Sequence, residues 1–370
     1  MRYKEFKDGV QLSRLGMGTM RLPILDNDNA KIDYEKAAKL VDDCMEQGVN
    51  YYDTAYIYHG GKSEEFLGKA LAKYPRESFY VTDKYNFQAE PDYRKQFKEQ
   101  LSRLNMDRID FYLLHSIQDS FADEMIGNGC IEYFDQMKKE GRIGYLGFSF
   151  HGSPEVMKKL LPLYPWDFVQ IQLNYYDWYF EDAKELYEML AEAKIPVMVM
   201  EPAHGGLLVN LTEDAAKELK ELNSENSIAS WAMRWVMSLD SVQVVLSGMS
   251  DENQVNDNVK TFAEADPLTT EEQERIEKAA KIQHAAITIP CTACNYCTPN
   301  CPKGLDIPTL LKCYNEAKIG GAWRVRHLKD MPEEKGPAGC IGCKACTRHC
   351  PQGFEIPRYM EELAKMLEEV

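Results

Sequence analysis

The sequence predicts a closed α/β barrel of eight parallel strands, followed by a small, mainly α-helical domain. Residues 15–263 alternate short apolar runs with amphipathic segments, a pattern that is typical of repeated strand–helix units. Two cysteine runs lie near the end of the chain, and the composition changes sharply at Pro290. We therefore assign residues 1–265 to the barrel, 266–286 to a connecting helix and 287–370 to the second domain.

Eight apolar runs are predicted as the barrel strands: 15–19, 50–53, 79–83, 109–114, 143–148, 168–173, 196–200 and 242–246. Segments with helical periodicity lie between them: 34–46, 64–73, 92–104, 124–140, 181–193 and 227–238. An open, doubly wound sheet is the alternative, but no Gly-x-Gly-x-x-Gly follows an early strand, and a count of eight favours closure into a TIM barrel. Residues 1–14, with Asp8-Gly9 between two short runs, predict a hairpin before the barrel.

The composition restricts the classes of partner. The chain has 370 residues, of which 44% are apolar, which is ordinary for a globular protein of two or three domains. Its formal net charge of -16 argues against nucleic acid and anionic membrane surfaces, because both attract basic proteins. No apolar run approaches the roughly 18 residues of a membrane span, and the first residues lack the apolar core of a signal peptide. We expect a cytoplasmic protein.

Eight of the 11 cysteines form two runs with the same spacing. Their members are Cys291, Cys294, Cys297 and Cys301 before Pro302, and Cys340, Cys343, Cys346 and Cys350 before Pro351. This is the spacing of bacterial ferredoxins, in which three thiolates of one run and the fourth of the other hold each 4Fe-4S cluster. The runs therefore predict two 4Fe-4S clusters. Two four-cysteine zinc sites and a disulfide framework are the alternatives.

The second domain also contains an internal repeat. Residues 301–308 match residues 350–357, and each copy leads into an amphipathic run with a proline at the predicted helix start. The two runs are 49 residues apart, which is longer than in compact bacterial ferredoxins, and the spacer is helical in pattern. The domain is therefore similar to the helical two-cluster domains of respiratory-chain reductases.

Four polar residues follow successive barrel strands. Asp53 follows the second strand, Tyr58 comes five residues later, Lys84 follows the third strand and His115 follows the fourth. In TIM barrels the chemistry lies at the carboxyl ends of the strands. Taken singly, each residue also suits an ordinary role, such as a strand-end cap, a rim aromatic, a surface charge or a core histidine.

This order of Asp, Tyr, Lys and His resembles the catalytic tetrad of the aldo/keto reductases. The surrounding runs are also similar to that family: residues 52–55, 61–64, 109–115 and 141–147. The resemblance covers about residues 1–265. Together with the cysteine runs, the chain resembles the aldo/keto reductases that carry a C-terminal ferredoxin-type domain.

The resemblance implies a role for each tetrad residue. Tyr58 would protonate the alkoxide that forms when a carbonyl accepts hydride, and a nearby Lys84 ammonium would favour the phenolate. Asp53 would hold Lys84 through a charge-assisted hydrogen bond. His115 would orient the carbonyl oxygen or relay the proton.

The resemblance also implies a nicotinamide site. Its residues would be Gly18, Thr19, Met20, Ser149, Gln170, Met200, Ser247, Gly248, Met249, Gln254 and Asn258. Phe150 stands where the family has the Asn that binds the nicotinamide amide, and Met200 replaces the aromatic that stacks on the ring. Glu201 would bring an anion towards the pyrophosphate, which is unfavourable unless a cation pairs with it.

The choice of cofactor remains open at this point. Gly248 and Gln254 stand where NADP-specific members place a Lys and an Arg, and losing two cations at a dianionic phosphate costs several kcal/mol. This favours NADH, or a different redox cofactor, over NADPH. The helix start near Ser250 is expected to receive phosphate through its free N–H groups. No flavin motif is recognisable, but flavins often bind at the carboxyl face of TIM barrels, so FMN is a further hypothesis.

These observations predict an oxidoreductase that reduces a carbonyl or related group on a small molecule. Its electrons would come from a nicotinamide cofactor, through two 4Fe-4S clusters, or from both, and a redox partner protein would serve the clusters. The alternative is an electron-transfer or regulatory cofactor-binding protein whose barrel is a docking scaffold, with FMN in place of the nicotinamide.

Overall fold

The structure is a computed structural model that describes residues 1–26, 28–320 and 322–368. The chain forms two compact units. The first comprises Met1–Pro202 and Ala229–Thr269, and the second comprises Ala203–Ile228 and Thr270–Val370. The sequence assigned every residue before 266 to the barrel domain, whereas residues 203–228 belong to the second unit.

The first unit begins with the predicted hairpin. Strands β1 (Tyr3–Glu5) and β2 (Gln11–Ser13) pair antiparallel around Asp8 and Gly9, which both have positive φ. The hairpin carries Phe6 and Leu12 into an apolar cluster with side chains from the barrel strands: Tyr51, Phe111, Leu113, Phe168, Met198, Val244 and Leu246. This cluster packs the hairpin against the interior of the barrel.

The barrel itself has the eight predicted strands, all parallel and closed. They are β3 (Leu15–Gly18), β4 (Tyr51–Asp53), β5 (Tyr80–Tyr85), β6 (Ile109–Ile117), β7 (Ile143–Phe150), β8 (Phe168–Gln172), β9 (Val197–Met200) and β10 (Val242–Ser247). Neighbours in the barrel are neighbours in the chain, and β10 closes the ring by pairing Val245 with Leu15. The predicted fold class is therefore confirmed. Eight buried apolar runs of this length can satisfy all their backbone hydrogen bonds only by closing.

Fifteen α-helices are present among the described residues. They are α1 (Tyr34–Glu46), α2 (Ser63–Leu71), α3 (Tyr93–Leu104), α4 (Ala122–Gly127), α5 (Cys130–Lys139), α6 (Pro154–Leu160), α7 (Tyr175–Phe180), α8 (Ala183–Glu192), α9 (Glu213–Lys220), α10 (Ile228–Met237), α11 (Glu252–Glu264), α12 (Thr270–Ala286), α13 (Ile307–Gly320), α14 (Ala345–Arg348) and α15 (Ile356–Glu368). None of them is both long and apolar enough to cross a membrane.

The sequence predicted one helix over residues 124–140, and this was wrong. The structure has α4 and α5 there, separated at Asn128 and Gly129. Gly129 has a φ of +85°, a left-handed conformation that a helix interior does not allow. The amphipathic period continues across the break, which is why the pattern alone suggested a single helix.

The second unit contains α9 and α12 to α15. Helix α12 corresponds to the predicted connecting helix and lies against α9, where Arg275 pairs with Glu218 and Glu221 at 3.0 and 2.6 Å. Helices α13 and α15 bury one apolar core with the cysteine runs, formed among others by Leu310, Leu311, Tyr314, Met360 and Leu363. The predicted small, mainly helical domain is therefore confirmed.

Candidate functional site

The four tetrad residues lie at the carboxyl end of the barrel strands. Asp53 is the last residue of β4, and Tyr58 opens a short turn just after it. Lys84 and His115 were expected after their strands, but they lie inside β5 and β6. The two strands pair with each other as far as Tyr85 and Leu114, so Lys84 is held on paired backbone and His115 directly follows the last pair.

Asp53 and Lys84 form a buried ion pair. Lys84 Nζ lies 2.5 Å from Asp53 Oδ1 and also donates to the carbonyl oxygen of Thr54 at 2.6 Å. The Lys84 side chain is fully buried and that of Asp53 is 4% exposed. Burial raises the pKa of Asp53, and the Lys84 ammonium opposes that rise. The carboxylate therefore fixes the ammonium in position.

Tyr58 and His115 complete the group. Lys84 Nζ lies 4.9 Å from the centroid of the Tyr58 ring. The rings of Tyr58 and His115 meet edge to face, with centroids 6.0 Å apart and planes at 77°. The fold thus brings all four predicted residues together, with a cation beside the phenol, where it stabilises a phenolate.

Asn86 belongs to this site, although the sequence analysis did not include it. Asn86 Nδ2 donates to His115 Nδ1 at 3.2 Å, while Asn86 Oδ1 accepts from Ala89 N at 2.9 Å and so fixes the orientation of the amide. His115 Nδ1 therefore accepts, and its proton resides on Nε2. Burial, with the nearby Lys84 and His151, lowers the pKa of His115 well below its ordinary value, which keeps the ring neutral. The sequence did contain a signal for Asn86, because it is a polar residue at a strand end, two positions after Lys84.

A polar network holds the backbone of Lys84. Lys84 N donates to Asp83 Oδ1 at 2.8 Å, and Lys84 O accepts from Gln100 Nε2 at 3.0 Å. Gln100 also donates to Glu64, which is itself paired with Arg103 at 2.8 Å. Burial, and then the charge of Glu64, raise the pKa of Asp83 well above its ordinary value. The sequence analysis gave these groups no role, because Glu64 and Gln100 are 36 residues apart and meet only in the fold.

Several predicted cofactor residues gather where β3 and β10 end. A Cβ on Gly18 would lie 3.7 Å from Ser247 O, and Asn258 Nδ2 donates to Ser247 Oγ at 2.9 Å. Thr19 Oγ1 donates to Asp53 O at 2.9 Å, which links this group to the tetrad strand. Met20 is half-buried in the turn after Thr19, and Met249 is fully buried beyond Gly248.

A second set of predicted cofactor residues lies on β7, β8 and β9. Gln170 Nε2 lies 3.6 Å from Met200 Sδ, and Ser149 Oγ accepts from Ser116 N at 2.7 Å. Gln170 Oε1 is buried and has no hydrogen-bond partner among the described residues. A buried acceptor without a partner is costly. It fits a ligand with an amide N–H, such as a nicotinamide carboxamide.

Glu201, whose charge near a pyrophosphate would be unfavourable alone, is paired with a cation. Glu201 Oε1 lies 3.5 Å from a guanidinium nitrogen of Arg21, which the sequence analysis did not identify. The stem of Arg21 lies beside Gly248, where a Cβ would come within 3.1 to 3.2 Å of it. Arg21 O also accepts from Ser250 Oγ at 2.7 Å. The pair neutralises the anion beside the predicted cofactor residues.

At the start of α11, where the sequence predicted free N–H groups for phosphate, two backbone donors have partners within the protein. Gln254 N donates to Asp251 Oδ1 at 3.0 Å, and Ser250 N donates to Gln254 Oε1 at 2.8 Å. Asp251 is the helix cap and binds only Gln254 N, whereas Ser250 N is bound by the Gln254 side chain. A phosphate at this position would have to displace the Gln254 side chain from Ser250.

The cysteines of the second unit group across the two runs. One cavity is lined by Cys301 of the first run and by Cys340, Cys343 and Cys346 of the second. Burial, and then the neighbouring Cys294, Cys291 and Cys350, raise the pKa of Cys297 to about 12. Each group thus contains three thiols of one run and the fourth of the other, a donor set that fits a 4Fe-4S cluster.

The alternatives for the cysteines can be compared with this geometry. All 11 cysteines lie in the described residues and are free thiols, so the structure contains no disulfide framework. In the same part of the chain, no group of three or more His, Cys, Asp or Glu side chains is spaced to bind a single metal ion.

A turn of the second unit holds the chain that enters the first cysteine run. Buried His204 donates from Nε2 to Pro290 O at 2.6 Å. Gly205 has a φ of +63°, and a Cβ there would lie 1.9 Å from Thr292 O. On the same chain segment, Asn315 of α13 donates to Ile289 O at 2.7 Å. The backbone on both sides of Pro290 is therefore held by residues distant in sequence.

The barrel, with Asp, Tyr, Lys and His gathered at its carboxyl end, defines an oxidoreductase. Comparison with known proteins agrees, since residues 14–281 match the aldo/keto reductase family. The chain belongs to that family and is an oxidoreductase that acts on a small molecule. Residues 290–355 match a 4Fe-4S dicluster domain.

Individual relatives match the barrel part of the chain. An uncharacterized oxidoreductase of Bacillus subtilis, YqkF, is 26% identical over 306 residues, which cover 74% of this chain and 94% of that protein. An NADH-specific methylglyoxal reductase of Escherichia coli is 24% identical over 298 residues, which cover 68% and 90%. Among solved structures, aldo-keto reductase AKR11C1 of Bacillus halodurans, in its holo form, superposes with a TM-score of 0.63 at 30% identity and covers 75% of this chain and 96% of its own.

Proposed function

We propose that this protein reduces the carbonyl group of a small molecule, with Tyr58 as the proton donor. The observation that carries the proposal is the buried pair of Lys84 and Asp53, 2.5 Å apart, with Lys84 Nζ 4.9 Å from the Tyr58 ring. A buried ammonium costs free energy unless it is paired. Its position beside a phenol serves a reaction in which that phenol loses a proton.

Each residue has a defined part in this reaction. A nicotinamide held beside Gln170 and Met200 would supply the hydride that the carbonyl carbon accepts. As negative charge develops on the carbonyl oxygen, the Tyr58 hydroxyl donates its proton and the Lys84 ammonium stabilises the phenolate that remains. His115, neutral and protonated on Nε2, donates a hydrogen bond that orients the carbonyl oxygen. Asn86 keeps His115 in that tautomer.

We propose NADH rather than NADPH as the nicotinamide cofactor. The Gln170 amide oxygen, buried and without a partner among the described residues, supports a carboxamide ligand beside Met200. Gly248 and Gln254 offer no cation to a 2'-phosphate. The Escherichia coli relative is named as NADH-specific, which agrees with this choice. FMN in the same place is the competing hypothesis, because a flavin exchanges both single electrons and hydride.

We further propose two 4Fe-4S clusters in the second unit. One would be held by Cys291, Cys294, Cys297 and Cys350, and the other by Cys340, Cys343, Cys346 and Cys301. When bound, such clusters carry single electrons. The use of eight cysteines as cluster ligands fits a reducing compartment, so we place the protein in the cytoplasm.

The proton donor can be tested with Tyr58→Phe. In the anaerobically purified protein, with methylglyoxal as the first substrate and NADH as the reductant, this variant should lose at least about 100-fold in turnover. Tyr56→Phe is the matched control, because the Tyr56 hydroxyl is bound to Glu99 at 2.7 Å, away from the tetrad. Turnover that is unchanged in Tyr58→Phe would overturn the proposed chemistry and favour a barrel that acts as a docking scaffold.

The cofactors can be tested on the same preparation. Two clusters require about eight iron and eight acid-labile sulfide per chain. Zinc in place of iron would overturn the cluster proposal. A flavin absorption spectrum that stays with the protein through gel filtration would replace NADH by FMN as the cofactor of the barrel.

A further inference from the structure

The two cysteine runs differ in charge and exposure. Residues 287–302, around the first run, contain no Asp, Glu, Lys or Arg. The second run carries Lys344 and Arg348 and no acidic residue. Residues 341–344 are all exposed, and among the 11 cysteines, all of them described, Cys343 alone is exposed. The second run is therefore the one that a partner protein can approach.

Four residues around the exposed cysteine form a face, which we call the carrier face: Lys303, Ile341, Cys343 and Lys344. All four line the cavity that also contains Cys301, Cys340 and Cys346. Ile341 is 59% exposed and the side chain of Lys344 is 63% exposed. The face thus combines an exposed apolar residue with two cations directly beside the thiols.

Acidic groups also lie near this face, and Glu333 and Glu334 directly precede Lys335 in the chain. Glu355 lies 3.6 Å from Lys344, and Asp306, three residues after Lys303, accepts two hydrogen bonds from Thr309. Against them, Lys335 Nζ donates to Lys303 O at 3.0 Å and so adds a third cation.

The charge around the face also differs from that of the whole chain. The lining of the cavity at the face contains two lysines and no Asp or Glu, whereas the whole chain has a net charge of -16. Since the Debye length is about 8 Å at physiological ionic strength, charges at the face act on a docking partner and distant acidic residues are screened. The net charge of the chain would favour a basic partner, but the local charge favours an acidic one.

We propose that the carrier face docks a small, acidic iron–sulfur carrier protein that exchanges single electrons. The inference rests on the proposed cluster held by Cys301, Cys340, Cys343 and Cys346. In each encounter the carrier loses one electron and this site gains one, and no atom is transferred. A face of a few residues suits such a partner, because electron-transfer complexes are transient and bury little surface.

Charge reversal of the face tests the proposal. The anaerobic protein is mixed with a reduced plant-type ferredoxin, a small acidic iron–sulfur carrier, and bleaching of the cluster absorbance is followed by stopped flow at several salt concentrations. In the wild type, the second-order rate should fall as salt rises. In Lys303→Glu/Lys344→Glu it should be about tenfold lower at low salt, because charges at an interface act chiefly on the association rate.

The matched control is Lys312→Glu/Lys365→Glu. It makes the same change in net charge at two exposed lysines of α13 and α15, whose side chains are 79% and 65% exposed. The control should react within about twofold of the wild type, and dithionite should bleach all three proteins to the same extent, which shows that the site is intact. Salt acts here by screening, so a rate that rises with salt would indicate repulsion and overturn the proposal.

The outcomes separate this inference from the function on which it rests. Equal rates in the wild type and both double variants, with full iron content, would overturn the carrier face alone. An equal loss in both double variants would show an effect of net charge and would also overturn it. Iron well below about eight per chain in the wild type would overturn the two-cluster proposal, and the carrier face with it.

Discussion

Replacing Lys84 by Met is the most informative perturbation of the barrel. Lys84 Nζ is the hydrogen-bond partner of the Asp53 carboxylate, whose other oxygen has none among the described residues. Asp53 is 2% exposed. Lys84→Met would therefore leave a buried charge uncompensated, which costs about 3–5 kcal/mol in the free energy of unfolding. The double variant Asp53→Leu/Lys84→Met removes both charges and should recover most of that loss.

Stability in urea and carbonyl reduction should respond differently in these two variants. Four of the five tryptophans lie in the first unit, so tryptophan fluorescence in urea reports chiefly on the barrel. The single variant should unfold at lower urea than the wild type, and the double variant should unfold near the wild type. Carbonyl reduction should fall at least about 100-fold in both, because neither retains a cation beside Tyr58.

Lys98→Met is the matched control, because Lys98 is exposed on α3. It should change the free energy of unfolding by no more than about 0.5 kcal/mol and leave turnover intact. The reasoning would be refuted if Lys84→Met kept the stability of the wild type, since the pair would then contribute nothing. A double variant that reduced carbonyl compounds at the normal rate would refute the role of the cation.

Two further predictions concern other parts of the chain. Gly205→Ala should lower the iron content and the stability of the second unit, because a Cβ there would lie 1.9 Å from Thr292 O at a positive φ; Gly127→Ala, where a Cβ meets nothing within 4 Å, should change neither. Arg21→Gln should weaken NADH binding in a fluorescence titration, because Glu201 loses its cation at 3.5 Å. Glu201→Gln should strengthen it, and the opposite order of affinities would contradict the proposed place of the pyrophosphate.

The sequence was sufficient for the features that depend on local pattern. Eight apolar runs separated by helical segments specify a barrel, because each run is too apolar to lie in solvent and too short to be a helix. The spacing of the cysteines identified the thiols of the second unit in the same way. The four tetrad candidates could be placed close together because residues at the carboxyl ends of successive strands meet at one end of a barrel.

Local sequence pattern could not predict the contacts that join residues distant in the sequence. The ion pair of Glu201 with Arg21 and the clamp of Gly205 on Thr292 each connect segments more than 80 residues apart, and no periodicity records such a distance. Asn86 was missed for a different reason: its position at a strand end marked it as a candidate, but its role depends on the direction of one amide.

The cysteines show most clearly which properties the sequence determined and which only the tertiary structure decided. Their number, spacing and repetition are properties of the chain, and these predicted a ferredoxin-type domain. Packing of α13 against α15 brings Cys301 to the thiols of the other run and leaves Cys343 exposed beside Lys303 and Lys344. Which face a side chain presents depends on how helices pack, so only the tertiary structure could show where a partner would find this site.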